Sequence, residues 1–178
     1  LARFLTQSDE EQESVATCTR EALEKTLQPG DVSLSEGSSR ISMAIKYITQ
    51  STWSHAAIFI GKVESDGVVG AKPLLIEVDV KEGVRTVPLS RYCQNHTRIC
   101  RPVGLAHQEM QQVIDFMKER LGYKYDLKNI FDLARYLIQT PPIPQQYRRR
   151  LLALGSGHPT KAIGSSFIAQ AFQSVKYP

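Results

Sequence analysis

Cysteine is scarce in this chain, with three residues, Cys18, Cys93 and Cys100, among 178. An odd number with no CxxC pair and no metal-ligand spacing excludes a disulfide framework and a cysteine zinc site. One Cys93–Cys100 bridge is permitted, and a reduced compartment fits as well. No apolar run approaches the ~20 residues that a membrane-spanning helix needs. No internal repeat or low-complexity segment occurs. Basic patches interleaved with aromatics are missing too, so nothing points to nucleic acid. Charge of one sign is also modest: net +4 with a pI near 9.0 permits anionic partners without demanding them.

What remains is ordinary globular usage, 42% hydrophobic and 22% charged residues. The length suits one sizeable domain. The chain opens at Leu1 without a methionine, which reads as a trimmed terminus and leaves a removed signal or anchor open.

Serine followed three residues later by glutamate, Ser8 and Glu11, is a capping-box pattern. It predicts a helix to about Leu27, with Val15, Cys18, Ala22 and Leu27 inward, closed by Pro29-Gly30-Asp31. Residues 1–28 are therefore read as an N-terminal helical extension, and 29–178 as the main domain. Asp31 to Leu34 reads as a strand. Ile41, Ala44, Ile45 and Ile48 give a helix from Arg40 to about Gln50, capped by Ser38 or Ser39. Strands follow at HAAIFIG (His55 to Gly61), LLIEVDV (Leu74 to Val80), Val84 to Val87, and Thr97 to Pro102. Helical spacing returns at Gln108 to Leu121 and Asn129 to Ile138. A short basic helix is read from Tyr147 to Leu154, a loop from Gly155 to Thr160, and a last helix from Ser165 to Val175. Strands that pair antiparallel, flanked by helices, give an α+β pattern rather than alternating βαβ units.

Three places can carry chemistry. His55 begins an apolar strand, so a rigid element holds its ring at a sheet rim; the plain alternative is a partly exposed capping histidine. Glu77 sits inside the strand LLIEVDV, sharing a face with Leu75 and Asp79. Such a carboxylate usually faces solvent, but beside the His55 strand it can accept a bond from the imidazole and fix its tautomer. Asp79, two residues along, competes for that role. The third place is the helix opening Gly164-Ser165-Ser166. Unpaired N–H groups there lower a thiol's pKa and can bind an oxyanion; the plain alternative is a serine N-cap. His96, His107 and His158 lack metal spacing, so no metal or cofactor is called for. Arg148-Arg149-Arg150 can meet phosphate or an anionic membrane surface, although a solvated helix face is the commoner role.

Taken in order, GDV (Gly30 to Val32), SHAAIFIG (Ser54 to Gly61), LLIEV (Leu74 to Val78) and IGSSFIAQAF (Ile163 to Phe172) resemble the permuted papain-like amidases, the NlpC-related YiiX/YebB-like group. LGYKYDL (Leu121 to Leu127) resembles the family's Gly-x-x-Tyr-Asp segment. The resemblance spans roughly Gln28 to Pro178. It implies an antiparallel half-barrel sheet packed against helices, and a bacterial protein of the cytoplasm or cell envelope. His55 would be the general base, Glu77 its orienting partner, and Tyr125 a cleft residue near the oxyanion site. The implied chemistry is amide or acyl hydrolysis through a thioester, on a peptide, a peptidoglycan-like peptide or an acyl lipid. The family pattern at the last helix is hydrophobic residue, cysteine, serine. Here the cysteine position holds Gly164, or Ser165 if the alignment moves by one. Three readings stay open: an engineered or variant cysteine amidase without its nucleophile, a pseudoenzyme that binds a peptide or lipid in the old cleft, and a serine hydrolase using Ser165.

Overall fold

The computed structural model describes residues 18–64, 70–79, 82–124 and 164–177. Among them the elements run α1 (Arg20–Thr26), β1 (Val32–Ser35), α2 (Arg40–Thr49), β2 (His55–Val63), β3 (Lys72–Asp79), β4 (Gly83–Pro88), a 3-10 turn (Leu89–Arg91), β5 (Thr97–Cys100), α3 (His107–Lys118) and α4 (Gly164–Ser174). The five strands form one open antiparallel sheet in the order β4-β3-β2-β1-β5. This is a mixed α+β architecture. The segments expected at Asn129 to Ile138, Tyr147 to Leu154 and Gly155 to Thr160 lie outside the described residues.

β2 and β3 read as nearly unbroken apolar runs because the sheet is covered on both sides. On one face Ala56, Ile58, Ile60, Ile76, Val78 and Val84 pack against Val113, Ile114 and Met117 of α3 and Phe167, Ile168, Ala171 and Phe172 of α4. On the other, Ala57, Phe59, Leu75 and Val87 pack against Leu23 of α1, Leu27 just beyond it, and Leu89 and Tyr92. Near the far end of β2 a bulge shifts the register between Phe59 and Gly61. Gly61 takes φ +95°, a conformation in which an L side chain is strained.

Three expectations are corrected. The first helix does not run unbroken from Ser8: Thr19 is extended and caps α1, its hydroxyl accepting the Ala22 N–H at 3.2 Å. With the helix starting there, the i, i+4 pair Leu23 and Leu27 faces the sheet and Ala22 is exposed. Residues 1–17 lie outside the described residues. Second, of the two cysteine states left open the bridge between Cys93 and Cys100 is not formed; all three cysteines are free thiols. Cys93 packs against the core shared by α1, whereas Cys100 lines a groove beside α4 on the opposite face. Third, the last strand stops at Cys100 rather than Pro102.

Candidate active site

His55 is the first residue of β2, opposite Ser35 of β1. Its side chain falls on the face of Ala57 and Phe59, and 32% of its surface remains exposed. Glu77 of β3 lies opposite Ala57, one diagonal step away. The imidazole Nε2 bonds Glu77 Oε2 at 2.8 Å. An ionised carboxylate only accepts, so Nε2 carries the hydrogen and the neutral ring holds its lone pair on Nδ1. Among the described residues Nδ1 makes no hydrogen bond.

Glu77 is only 3% exposed, and donors from His55, Tyr92 and Arg85 converge on its carboxylate. Oε2 also accepts the hydroxyl of buried Tyr92, whose ring stacks on His55 with centroids 6.1 Å apart. Oε1 accepts Arg85 Nε at 2.9 Å and Nη2 at 2.7 Å. Arg85 is the residue directly opposite Glu77 on β4. It also pairs with Asp79 at 3.1 Å and Glu82 at 2.8 Å. Burial by itself pushes the Glu77 carboxyl upward. The bonds and charges of His55, the Tyr92 hydroxyl and Arg85 together outweigh burial and hold it down at about 2. Tyr92 moves the other way, well above its usual range, because burial and then the Glu77 charge both oppose a phenolate. It is therefore a permanent hydrogen donor.

The structure thus brings His55 and Glu77 together and joins Asp79 to Arg85 instead. Ser165 lies exposed in the first turn of α4, and among the described residues no hydrogen bond links it to His55. Gly164 begins that helix, which packs on the face opposite the His55–Glu77 pair. Tyr125 and Arg148 to Arg150 lie outside the described residues. Ser54 holds the approach to β2, its hydroxyl accepting the Gly37 N–H at 2.8 Å. Next to Ser35, Glu36 binds Lys46 at 2.7 Å and His96 at 3.3 Å, and His96 packs against Trp53. Among the described residues no group of three or more His, Cys, Asp or Glu gathers as a metal site, and no helix is long and apolar enough to cross a membrane. An apolar groove of about 410 Å³ lies at the Val32 end of β1, whereas His55 is at the Ser35 end.

Sequence reading missed Arg85 and Tyr92. The register of the β3–β4 hairpin was a usable signal for Arg85, since pairing Asp79 with Gly83 puts 85 opposite 77. Tyr92 had none, because a 3-10 turn delivers it rather than a strand.

Residues 26–136 match the family described as permuted papain-like amidase enzymes, YaeF/YiiX, C92 family. The solved structure of the metalloprotein yiiX from Escherichia coli O157:H7 is 25% identical, with a TM-score of 0.46 over 56% of this chain and 53% of that one. The chain thus spans about half the length of that protein. No curated protein matches.

Proposed function

The chain belongs to the permuted papain-like amidase family, and from that premise we propose that it carries a cysteine-amidase site whose histidine–glutamate half is assembled and whose nucleophile position, Gly164, is empty of a nucleophile. The observation that carries this reading is the buried Glu77 carboxylate bonding His55 Nε2, which leaves Nδ1 as the base at the sheet rim.

The chemistry follows from that tautomer. In a family member with cysteine at the helix start, Nδ1 takes the thiol proton and Glu77 stabilises the imidazolium. The thiolate attacks the amide carbonyl, and the free N–H groups of the helix end receive the oxyanion. The imidazolium returns its proton to the leaving amine as the C–N bond breaks. Water, deprotonated by the same ring, then splits the thioester and regenerates the thiol. Glycine has no atom to form that bond, so this chain binds a peptide-type amide or acyl ligand in the cleft without turning it over. Peptidoglycan-like peptides and acyl lipids fall within that class.

The test is Gly164→Cys labelled with iodoacetamide near pH 6, mapped by mass, with and without His55→Ala. An ordinary thiol with pKa ~8.5 is mostly protonated at that pH and slow. Rapid labelling at 164, lost with His55→Ala, is expected. Labelling no faster than at Cys18, Cys93 or Cys100 overturns the assignment of 164 and moves attention to Ser165. Hydrolysis of acyl-amide probes by the unaltered chain, abolished by His55→Ala, would overturn the proposed lack of turnover.

A further inference from the structure

We infer that Arg85 and Tyr92 are positioning residues for His55, acting through Glu77: together they saturate the carboxylate, fix the imidazole tautomer and set how readily Nδ1 takes a proton. The inference rests on the functional reading above for its purpose, but not for its test.

Arg85 does more than fill a lone pair. Its guanidinium lies directly across Glu77 from His55 and grips Oε1 through two nitrogens. The imidazolium would therefore face a carboxylate already paired with a cation, not an isolated negative charge. Like charges that share a carboxylate disfavour one another, so removing Arg85 is expected to ease protonation of the imidazole. Asp79, which shares Nη2 with Glu77, and Glu82 on Nη1 limit that effect without removing it. Tyr92 acts on the same oxygen that His55 uses. Its hydroxyl withdraws acceptor strength from Oε2, and its ring, stacked on the imidazole, restricts rotation. Other charged groups among the described residues here are Arg91, on the turn beside Tyr92, and Glu36 with its partners Lys46 and His96, next to β1. None of the bonds between described groups connects these to His55 or Glu77.

A general base is most effective when its pKa lies near the working pH. A bare buried carboxylate tends to make the imidazole too basic and keep it protonated. An arginine behind the carboxylate shares its charge while leaving the orienting bond intact. Lysine cannot reproduce the fork, because one nitrogen cannot hold Oε1 from two directions.

The experiment follows the ring directly by NMR, reading the pKa of His55 and the nitrogen shifts that report its tautomer. Arg85→Met is expected to raise the pKa of His55 by about 1, since the cation that shares its carboxylate is lost. Arg85→Lys keeps the charge and should leave the pKa near that of the unaltered protein while the Nε2–H tautomer becomes less dominant. Tyr92→Phe keeps the ring and removes one donor, and should raise the pKa by a few tenths. A folded Arg85→Met protein with unchanged or lowered His55 pKa overturns the inference. If Arg85→Met does not fold, Tyr92→Phe decides alone: unchanged pKa and tautomer overturn it. Slow labelling of Gly164→Cys alongside a shifted His55 titration would remove the assignment of 164 and leave the positioning network standing.

Discussion

Replacing Glu77 by glutamine tests whether the carboxylate's charge, rather than its shape, organises this end of the sheet. Four donated bonds converge on the two oxygens of a residue that is 3% exposed. Glutamine supplies one acceptor oxygen and one NH2 group. Whichever way the amide turns, its N–H groups meet either the Arg85 fork or the His55 and Tyr92 donors. The carboxyl is held at about 2 against an ordinary 4.5, a difference corresponding to roughly 3 kcal/mol. Adding the frustrated donors gives an expected loss of about 3–5 kcal/mol for Glu77→Gln at pH 7. Asp79→Asn is the control: Asp79 is 27% exposed and meets Arg85 at 3.1 Å, so its loss should stay below about 1 kcal/mol. The sign with pH is fixed by the depressed folded pKa. The contribution of Glu77 is complete above about pH 4.5 and disappears as pH falls towards 2. Urea unfolding at pH 7, 5, 4 and 3 should therefore show a full gap between the two proteins at the first two values and a shrinking one below. A gap under about 1 kcal/mol at pH 7, or one constant down to pH 3, would refute the reasoning.

Two further substitutions probe the frame that holds the site. Gly83 closes the β3–β4 hairpin at φ +78°, and a Cβ there would run into the Tyr123 carbonyl oxygen, which is backbone. Gly83→Ala should cost more than about 2 kcal/mol in thermal or urea unfolding, against about 1 for Gly70→Ala, where φ is +97° and nothing lies within 4 Å; equal losses would mean that the hairpin end is not packed as described. Ser54→Ala leaves the Gly37 N–H without its acceptor and should cost about 1–2 kcal/mol. It should leave the His55 titration unchanged, because Ser54 touches neither His55 Nε2 nor Glu77; a shifted titration would contradict this.

The strands were legible because their signals are local. HAAIFIG and LLIEVDV are bounded by turn residues, and both form strands within two residues of the expected ends. Helix α2 was legible for the same reason, and of the two serines expected as its cap Ser39 is the one that accepts the Ser42 N–H. What failed depended on partners distant in sequence. Alternation placed Leu75, Glu77 and Asp79 on one face, but whether that face meets water is decided by α1 and the Leu89–Tyr92 turn. Covered by them, Glu77 is buried and must be paired, whereas Asp79, at the strand end, remains partly open. On α1 the expected Leu27 is buried and Cys18 packs against the same core, but the helix starts only after the Thr19 cap and buries Leu23 where Ala22 was expected.

The sheet's two faces also constrain how a nucleophile could meet the base. α4 packs with α3 on the face of Ile58 and Ile76, while His55, Glu77 and Tyr92 occupy the opposite one. A group at the start of α4 reaches His55 only around the rim, and His55 suits that approach because it is the first residue of β2 and keeps a third of its surface open. The labelling experiment thereby separates two sources of thiol activation. A helix N-terminus alone lowers a thiol's pKa, so rapid labelling of Gly164→Cys that survives His55→Ala would assign the activation to α4 and deny contact across the rim. Labelling that collapses with His55→Ala, and also weakens with Glu77→Gln, would require the imidazole to be in reach and correctly oriented. Only the second result makes the two faces parts of one site.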